Sequence, residues 1–286
     1  MLWHPRQGGV RYEHNFGTVG SLTPGTSVTT GAAAATKGTP VELIASTNFD
    51  AFWIRITAGN YGASATTARG CLDILVGAAT EEVLIPNLLM GFCGSTGGAN
   101  PGLKTWEFPL YIPAGTRIAA QVAGDRTSTA MRVGVQLYGG GDYPAWRVGQ
   151  RVTTYGIGTV PAATDFTPGA SAAEGAWAAI TASTTEDHFC VVPSAQPPTG
   201  DTTLTASALF LDIGIGAATE ELLFGDSTQQ QSYIFSLDGA ELVGGPANSF
   251  PCFGDVPSGS RLTMRGSRSS AADTVATWNG ALHCVS

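Results

Sequence analysis

The chain has 286 residues, enough for two domains with separate cores, and 43% are hydrophobic, which excludes a disordered polymer. Only 13% are charged, the formal net charge is −8, and the two lysines are Lys37 and Lys104, so the basic stripe that nucleic-acid binding requires is missing and an anionic membrane would repel the chain. The 38 glycines and 16 prolines predict short strands, many turns and a surface of small neutral side chains, suited to being covered by partner subunits or by copies of itself.

The chain opens with Met1-Leu2-Trp3-His4-Pro5-Arg6, without the continuous apolar core of a secretion signal, and no apolar run approaches the roughly 20 residues of a membrane span. The expectation is a soluble protein made in the cytosol. Residues 1–15 read as an arm, and Leu2, Trp3, His4 and Arg6 are its candidate assembly contacts. Tryptophan and arginine are favoured interface anchors, and proline limits what an extended arm loses on ordering. Phe52, Ile54 and Ile56 alternate with Trp53, Arg55 and Thr57, the period of a strand with one face buried. Leu72, Ile74 and Val76 alternate with Asp73 and Gly77 in the same way, which predicts an outward Asp73. Pro113-Ala114-Gly115 is a turn leading into a strand with an outward Arg117, and Met131, Val133, Val135 and Leu137 form a further alternating strand. Gly139-Gly140-Gly141-Asp142-Tyr143-Pro144 marks a boundary.

Beyond it the pattern begins again. Leu72–Ile85 returns as Leu211–Phe224 with ten of fourteen positions identical at an offset of 139, and Asp212 takes the place of Asp73. Thr23–Ser27 returns as Thr167–Ser171, Ala45-Ser46-Thr47 as Ala182-Ser183-Thr184, and Ile112–Ile118 as Val256–Leu262, at offsets of 144, 137 and 144. Four landmarks in one order imply a duplication, and a period near 140 residues makes each copy a domain rather than a solenoid repeat. The predicted organisation is an arm (1–15), a first repeat (16–141), a linker (142–149) and a second repeat (150–286). The fold class is all-β: two tandem homologous antiparallel β-sandwich domains, jelly-roll-like. Residues 1–144 hold nine basic and nine acidic side chains, and residues 145–286 hold five and thirteen. That asymmetry suggests a first half that docks and a second that faces solvent.

Candidate chemistry is sparse. The repeated Ala-Ala-Thr-Glu-Glu, with Asp73 or Asp212 upstream, offers carboxylates to Ca²⁺ or to acid–base work, but both need convergence, and Glu81 and Glu82 diverge at a strand start. The stretch reads instead as the solvated tip of a hairpin, freed by Gly77 and Gly216. Cys71, Cys93, Cys190, Cys252 and Cys284 lack paired spacing and read as buried thiols. His4, His14, His188 and His283 read as surface imidazoles, and strand neighbours His283 and Cys284 point to opposite faces and cannot share a metal. Neither a nucleophile elbow nor a phosphate loop is present. Asp142-Tyr143-Pro144-Ala145-Trp146 reads as cover for the junction, with sugar stacking as the alternative. The expectation is no enzyme, no cofactor and no catalytic metal.

Ile112-Pro113-Ala114-Gly115-Thr116-Arg117-Ile118-Ala119-Ala120 precedes a Val-Gly-Val-Gln-Leu strand, and Leu72-Asp73-Ile74 and Val83–Leu89 lie before it. Together these resemble small structural proteins of tailed bacteriophages. The resemblance covers most of the first half and the second more loosely. It implies a non-enzymatic virion component of the tail or a tail-associated appendage, made in the host cytoplasm. The alternatives are a capsid decoration protein and, in another class, a carbohydrate-binding module or glycan-cleaving enzyme. Implied partners are copies of itself, other virion proteins and, if a face looks toward the host, a host-surface glycan, with no nucleic acid and no membrane.

Overall fold

The computed structural model describes residues 11–16, 25–59, 68–77, 80–92, 104–140, 147–169, 173–196, 207–216, 221–224, 235–237, 247–249, 251–268 and 277–286. None of the described residues is helical, and among them no helix is long and apolar enough to cross a membrane. The first half contributes β1 (Arg11–His14), β2 (Thr26–Thr29), β3 (Val41–Ile44), β4 (Ala51–Gly59), β5 (Ala68–Val76), β6 (Glu82–Phe92), β7 (Lys104–Phe108), β8 (Ile118–Gly124) and β9 (Ala130–Gly139). The second contributes β10 (Val152–Tyr155), β11 (Thr164–Phe166), β12 (Ala178–Thr181), β13 (His188–Gln196), β14 (Ser207–Ile215), β15 (Glu221–Phe224), β16 (Phe235–Leu237), β17 (Ala247–Ser249), β18 (Cys252–Val256), β19 (Leu262–Arg268) and β20 (Trp278–Val285).

Each half is a two-sheet sandwich. In the first, β1 and β2 both pair with β9, followed by β4 and β7, and the facing sheet runs β3-β8-β5-β6. In the second, β10 and β11 both pair with β20, followed by β13 and β18, and the facing sheet runs β12-β19-β14-β15. The two orders correspond strand for strand, and the interleaving is that of a jelly roll. The second half adds β16 beside β14, and β17, which crosses over to pair in parallel with β7 of the first half. β1 falls within the stretch read as an arm, so the sheet begins before residue 16.

The turn ahead of β8 and β19 shows the correspondence at the level of atoms. Thr47 Oγ1 donates to the Pro113 carbonyl at 2.7 Å and accepts from the Thr116 amide at 3.0 Å. Thr184 Oγ1 does the same with Pro257 and Ser260 at 2.8 and 3.0 Å. Asp50 and Asp187 accept from the amides of Ala114 and Ser258 at 2.8 and 2.7 Å. Gly115 and Gly259 take φ of 83° and 85°, a left-handed geometry that disfavours other residues. Both threonines are buried, so removing either hydroxyl leaves the carbonyl and amide it bridges with only their longer bond to each other, 3.3 Å in the first turn and 3.2 Å in the second. Thr47→Val and Thr184→Val are each expected to cost roughly 1–3 kcal/mol. Urea unfolding should return matched losses; one silent site would break the equivalence of the two turns.

The alternation read from the sequence holds for β9, where Met131, Val133, Val135 and Leu137 are buried, and for Ile54 and Ile56 of β4. Phe52 departs from it. The register between β4 and β9 slips between Ala51 and Trp53, and this bulge places Ala51 rather than Phe52 in the core. Alternation fails altogether in β13 and β20, every residue of which is buried. Their sheet is a shared middle layer. Val191, Ala195, Leu282 and Cys284 face the second core, whereas Cys190, Val192 and Val285 join the first. A strand covered on both sides has no reason to alternate.

Candidate functional site

The first sheets of the two halves offer a position-by-position comparison. On β4 and β9 the outward pairs are Trp53 with Tyr138, Arg55 with Gln136, and Thr57 with Gly134. The equivalent pairs on β13 and β20 are Cys190 with Val285, Val192 with His283, and Ser194 with Ala281. One face carries aromatic and charged groups, and the other carries small groups plus one imidazole. Packing supplies the reason. β6 lies across β10, β13 and β20 and leaves room only for small side chains. β7 closes the same junction, where the buried Lys104 donates to the Ala195 carbonyl at 3.1 Å.

At that junction His283 is wholly buried, and His188 is also buried, which corrects the reading of both as surface imidazoles; His14 is exposed. Thr154 Oγ1 donates its one proton to the Pro86 carbonyl at 2.7 Å, so it must accept from His283 Nδ1–H at 2.8 Å. His283 Nε2 then accepts from Ser194 Oγ–H at 2.7 Å, and Ser194 Oγ accepts the Leu89 amide at 3.4 Å. Every hydrogen has one place to go, and the imidazole is neutral. Burial lowers the His283 pKa to about 3. A serine hydroxyl on an imidazole is the start of a nucleophilic triad. Here the third member is a threonine, and Ser194 and His283 are both fully buried, so no substrate reaches them. The network joins the halves.

Asp73 and Asp212, read as outward, are buried. Segments leading to β3 and β12 cover them. Asp73 Oδ1 accepts from Lys37 Nζ and from the Asn87 amide, both at 2.8 Å, and Oδ2 accepts from Gln121 Nε2 at 2.8 Å. The lysine ammonium thus sits where a bound cation would. Asp212 Oδ2 accepts from Arg265 Nε at 3.0 Å; Arg265 also pairs with Glu174 and lies 4.3 Å from the Trp177 ring centre. Burial, then the adjacent Asp212 carboxylate, raises the Glu174 pKa. Thr80 and Glu82 are exposed beside the turn at Gly77, whose φ is 113°; Gly216 matches it at 132°. Glu81 pairs with Arg117, which also donates to Glu42 Oε2 at 2.9 Å, so Arg117 clamps the hairpin rather than standing free. Among the described residues no three His, Cys, Asp or Glu side chains cluster as metal ligands. Cys71, Cys190, Cys252 and Cys284 are buried thiols, and burial pushes the Cys71 pKa up to about 12.

Leu2, Trp3, His4 and Arg6 lie outside the described residues, as do Cys93 and Asp142–Trp146. The structure instead draws together groups that sequence reading did not single out as a site. Tyr12 on β1 registers with Tyr138, which registers with Trp53 on β4, and the Trp53 ring lies 6.4 Å from Phe253 of β18. Tyr12 is 65% exposed and Phe253 57%. Trp53 Nε1 donates to Glu107 Oε2 at 3.1 Å, Arg55 Nε donates to Glu107 Oε1 at 2.7 Å, and the Arg55 guanidinium lies 6.0 Å from the Tyr138 ring centre. The signal in the sequence was Trp53 and Arg55 at outward positions of an alternating strand.

No protein-family model matches the chain, and no curated relative matches it. Among solved structures it is similar to PNGF-II, at 10% identity over 86% of this chain and 59% of that one, with a TM-score of 0.34. It is also similar to PNGase F, a glycosylasparaginase from Flavobacterium meningosepticum, at 7% identity over 96% of both chains, again with a TM-score of 0.34. A third is a triple jelly-roll protein of an archaeal virus turret, at 11% identity over 91% of this chain and 58% of that one, with a TM-score of 0.23. The chain spans about three fifths of the first of these. At such scores the likeness carries nothing about activity or partners.

Proposed function

We propose that this chain is a non-enzymatic structural protein of a bacteriophage virion, in the tail or a tail-associated appendage, assembling with copies of itself and neighbouring virion proteins. The observation that supports the reading is the shared middle sheet. With β13 and β20 buried on both faces, the two sandwiches are held as one block. That arrangement suits a subunit that bears load and stays in place more than an enzyme whose halves must open around a substrate. The sparse charge fits surfaces that become covered, and the first half, neutral by count, is the side expected to dock.

Purified particles from an infected culture provide the test. The protein should appear there in fixed stoichiometry, and antibody labelling should mark the tail. Deleting residues 2–10, which leaves β1 intact, should lower incorporation while both sandwiches stay folded. Absence from particles, or turnover of a glycan substrate by the purified protein, would overturn the reading.

A further inference from the structure

We propose that the outward face of the first half's β1-β9-β4-β7 sheet is a binding platform for a neutral oligosaccharide chain. The inference rests on this face alone and is independent of where the protein is used. Strands lie about 4.8 Å apart, so Tyr12, Tyr138 and Trp53 form a row about 10 Å long across three neighbours. Phe253 extends the row across the junction between the halves. These side chains leave apolar ring surface exposed, Tyr12 and Phe253 most of all, and the ring C–H groups of a pyranose are apolar in the same way. The next row holds His14, Gln136, Arg55 and Glu107 in register, one pair of residues further along each strand. Those groups can donate and accept hydrogen bonds beside the aromatic row, as sugar hydroxyls require.

The arrangement is held before any ligand arrives. The Trp53 indole N–H is committed to Glu107, and the same carboxylate fixes Arg55 beside Tyr138. A ring locked by its own neighbours loses little freedom when a ligand stacks on it. Burial opposes the Arg55 charge, but Glu107 outweighs it and raises the guanidinium pKa. Arg55 and Glu107 neutralise each other, and no counter-charge is called for in the ligand, which favours a neutral sugar over an anionic one.

Tryptophan, tyrosine and arginine also anchor protein interfaces. The second half shows what this sheet face becomes when protein covers it. At the same register positions the residues are Cys190, Val192, Ser194, Ala281 and Val285, small enough for β6 to lie flat, with His283 the one larger group. The first half departs from that solution at three of these positions, with Trp53, Arg55 and Tyr138 in place of Cys190, Val192 and Val285, while Thr57 and Gly134 stay small. The three departures bring in two aromatic rings and a hydrogen-bonding guanidinium together, the combination that carbohydrate needs.

Isothermal titration of the full chain against cellohexaose, maltohexaose, laminarihexaose and N-acetylchitohexaose, with an oligogalacturonate as anionic comparison, tests the assignment. At least one neutral sugar should bind with Kd tighter than about 5 mM. Trp53→Ala should weaken that binding at least about tenfold. Tyr12→Ala, at an exposed position on an edge strand where folding is not at stake, should weaken it as well. Silence from all neutral sugars, binding of the oligogalacturonate alone, or affinity unchanged in both variants would overturn the platform. So would a self-associated protein that Tyr12→Ala makes monomeric, because the face would then belong to a second copy.

Discussion

Lowering the pH from 7.5 to 5 is expected to remove about 2 kcal/mol of unfolding free energy through His283 alone. The unfolded imidazole titrates near 6.5 and the folded one near 3, because the fully buried ring cannot be charged without losing its solvation. Between those values the unfolded chain binds a proton that the folded chain refuses. Stability from this group is therefore complete above pH 6.5 and falls as the pH drops toward 3. His188 shifts in the same direction, lowered by burial against the pull of Glu186, and adds to the slope. Above pH 5 most carboxylates stay ionised, and a change shared by parent and variant, such as that of Glu174 with its raised pKa, cancels in the comparison. Urea unfolding of the intact protein and of His283→Gln at both pH values gives the measurement. The variant loses stability at pH 7.5, where Thr154 and Ser194 give up an optimally placed partner. By pH 5 the gap to the parent should have narrowed by about 2 kcal/mol, since glutamine has no proton to take up. A gap that stays constant would mean that the ring is not held neutral at the junction.

The same junction shows what local pattern conveys and what it does not. Alternation at Ile54, Ile56, Val133 and Val135 reports a strand with one face in a core, and the repeat landmarks gave the period and the matched turns. Neither reports a second layer. His188-Phe189-Cys190-Val191-Val192 and Ala281-Leu282-His283-Cys284-Val285 do not alternate, and only the approach of β6 explains why. Asp73 was misplaced for a related reason. Period two assigns it correctly to the face away from the core, but that face is roofed by the segment carrying Lys37, some 36 residues away in sequence. An aspartate alternating with leucine and isoleucine is written identically whether water or a lysine meets it.

The aromatic platform was half legible. Trp53, Arg55 and Thr57 stood out as outward positions of β4, but outward residues carry no information about one another until register is known. Tyr12 lies 126 residues from Tyr138 and Phe253 lies 200 from Trp53, and pairing and sandwich contact alone bring them into one row. Conversely, the repeated Thr-Glu-Glu drew the eye because identity between copies is visible in sequence. What it preserves is the hairpin between β5 and β6, with Glu81 tied to Arg117.

The two buried aspartates should tolerate an exchange of their partners. Lys37 and Glu174 occupy the same place at an offset of 137, and Gln121 and Arg265 occupy the same place at an offset of 144, each opposite the aspartate in the strand register. The first copy answers Asp73 with a cation from the roofing segment and a neutral amide from the sheet; the second answers Asp212 with a cation from the sheet and an acid from the roof. Lys37→Glu alone puts two carboxylates together without a cation and should cost roughly 3–5 kcal/mol, as breaking a buried pair does. Gln121→Arg alone sets a second cation beside Lys37 and should also destabilise. Combined, the two changes rebuild the second copy's arrangement, with Arg at 121 between Asp73 and Glu at 37. The double variant should then recover about 2–3 kcal/mol relative to the sum of the singles. Recovery stays partial because Trp177, which stacks on Arg265, has Pro40 as its counterpart at the same offset. Urea midpoints of the parent, both singles and the double close the cycle. Strict additivity would mean that the cation's side of the sheet is fixed by each copy's own packing, and that the two nodes are not versions of one design.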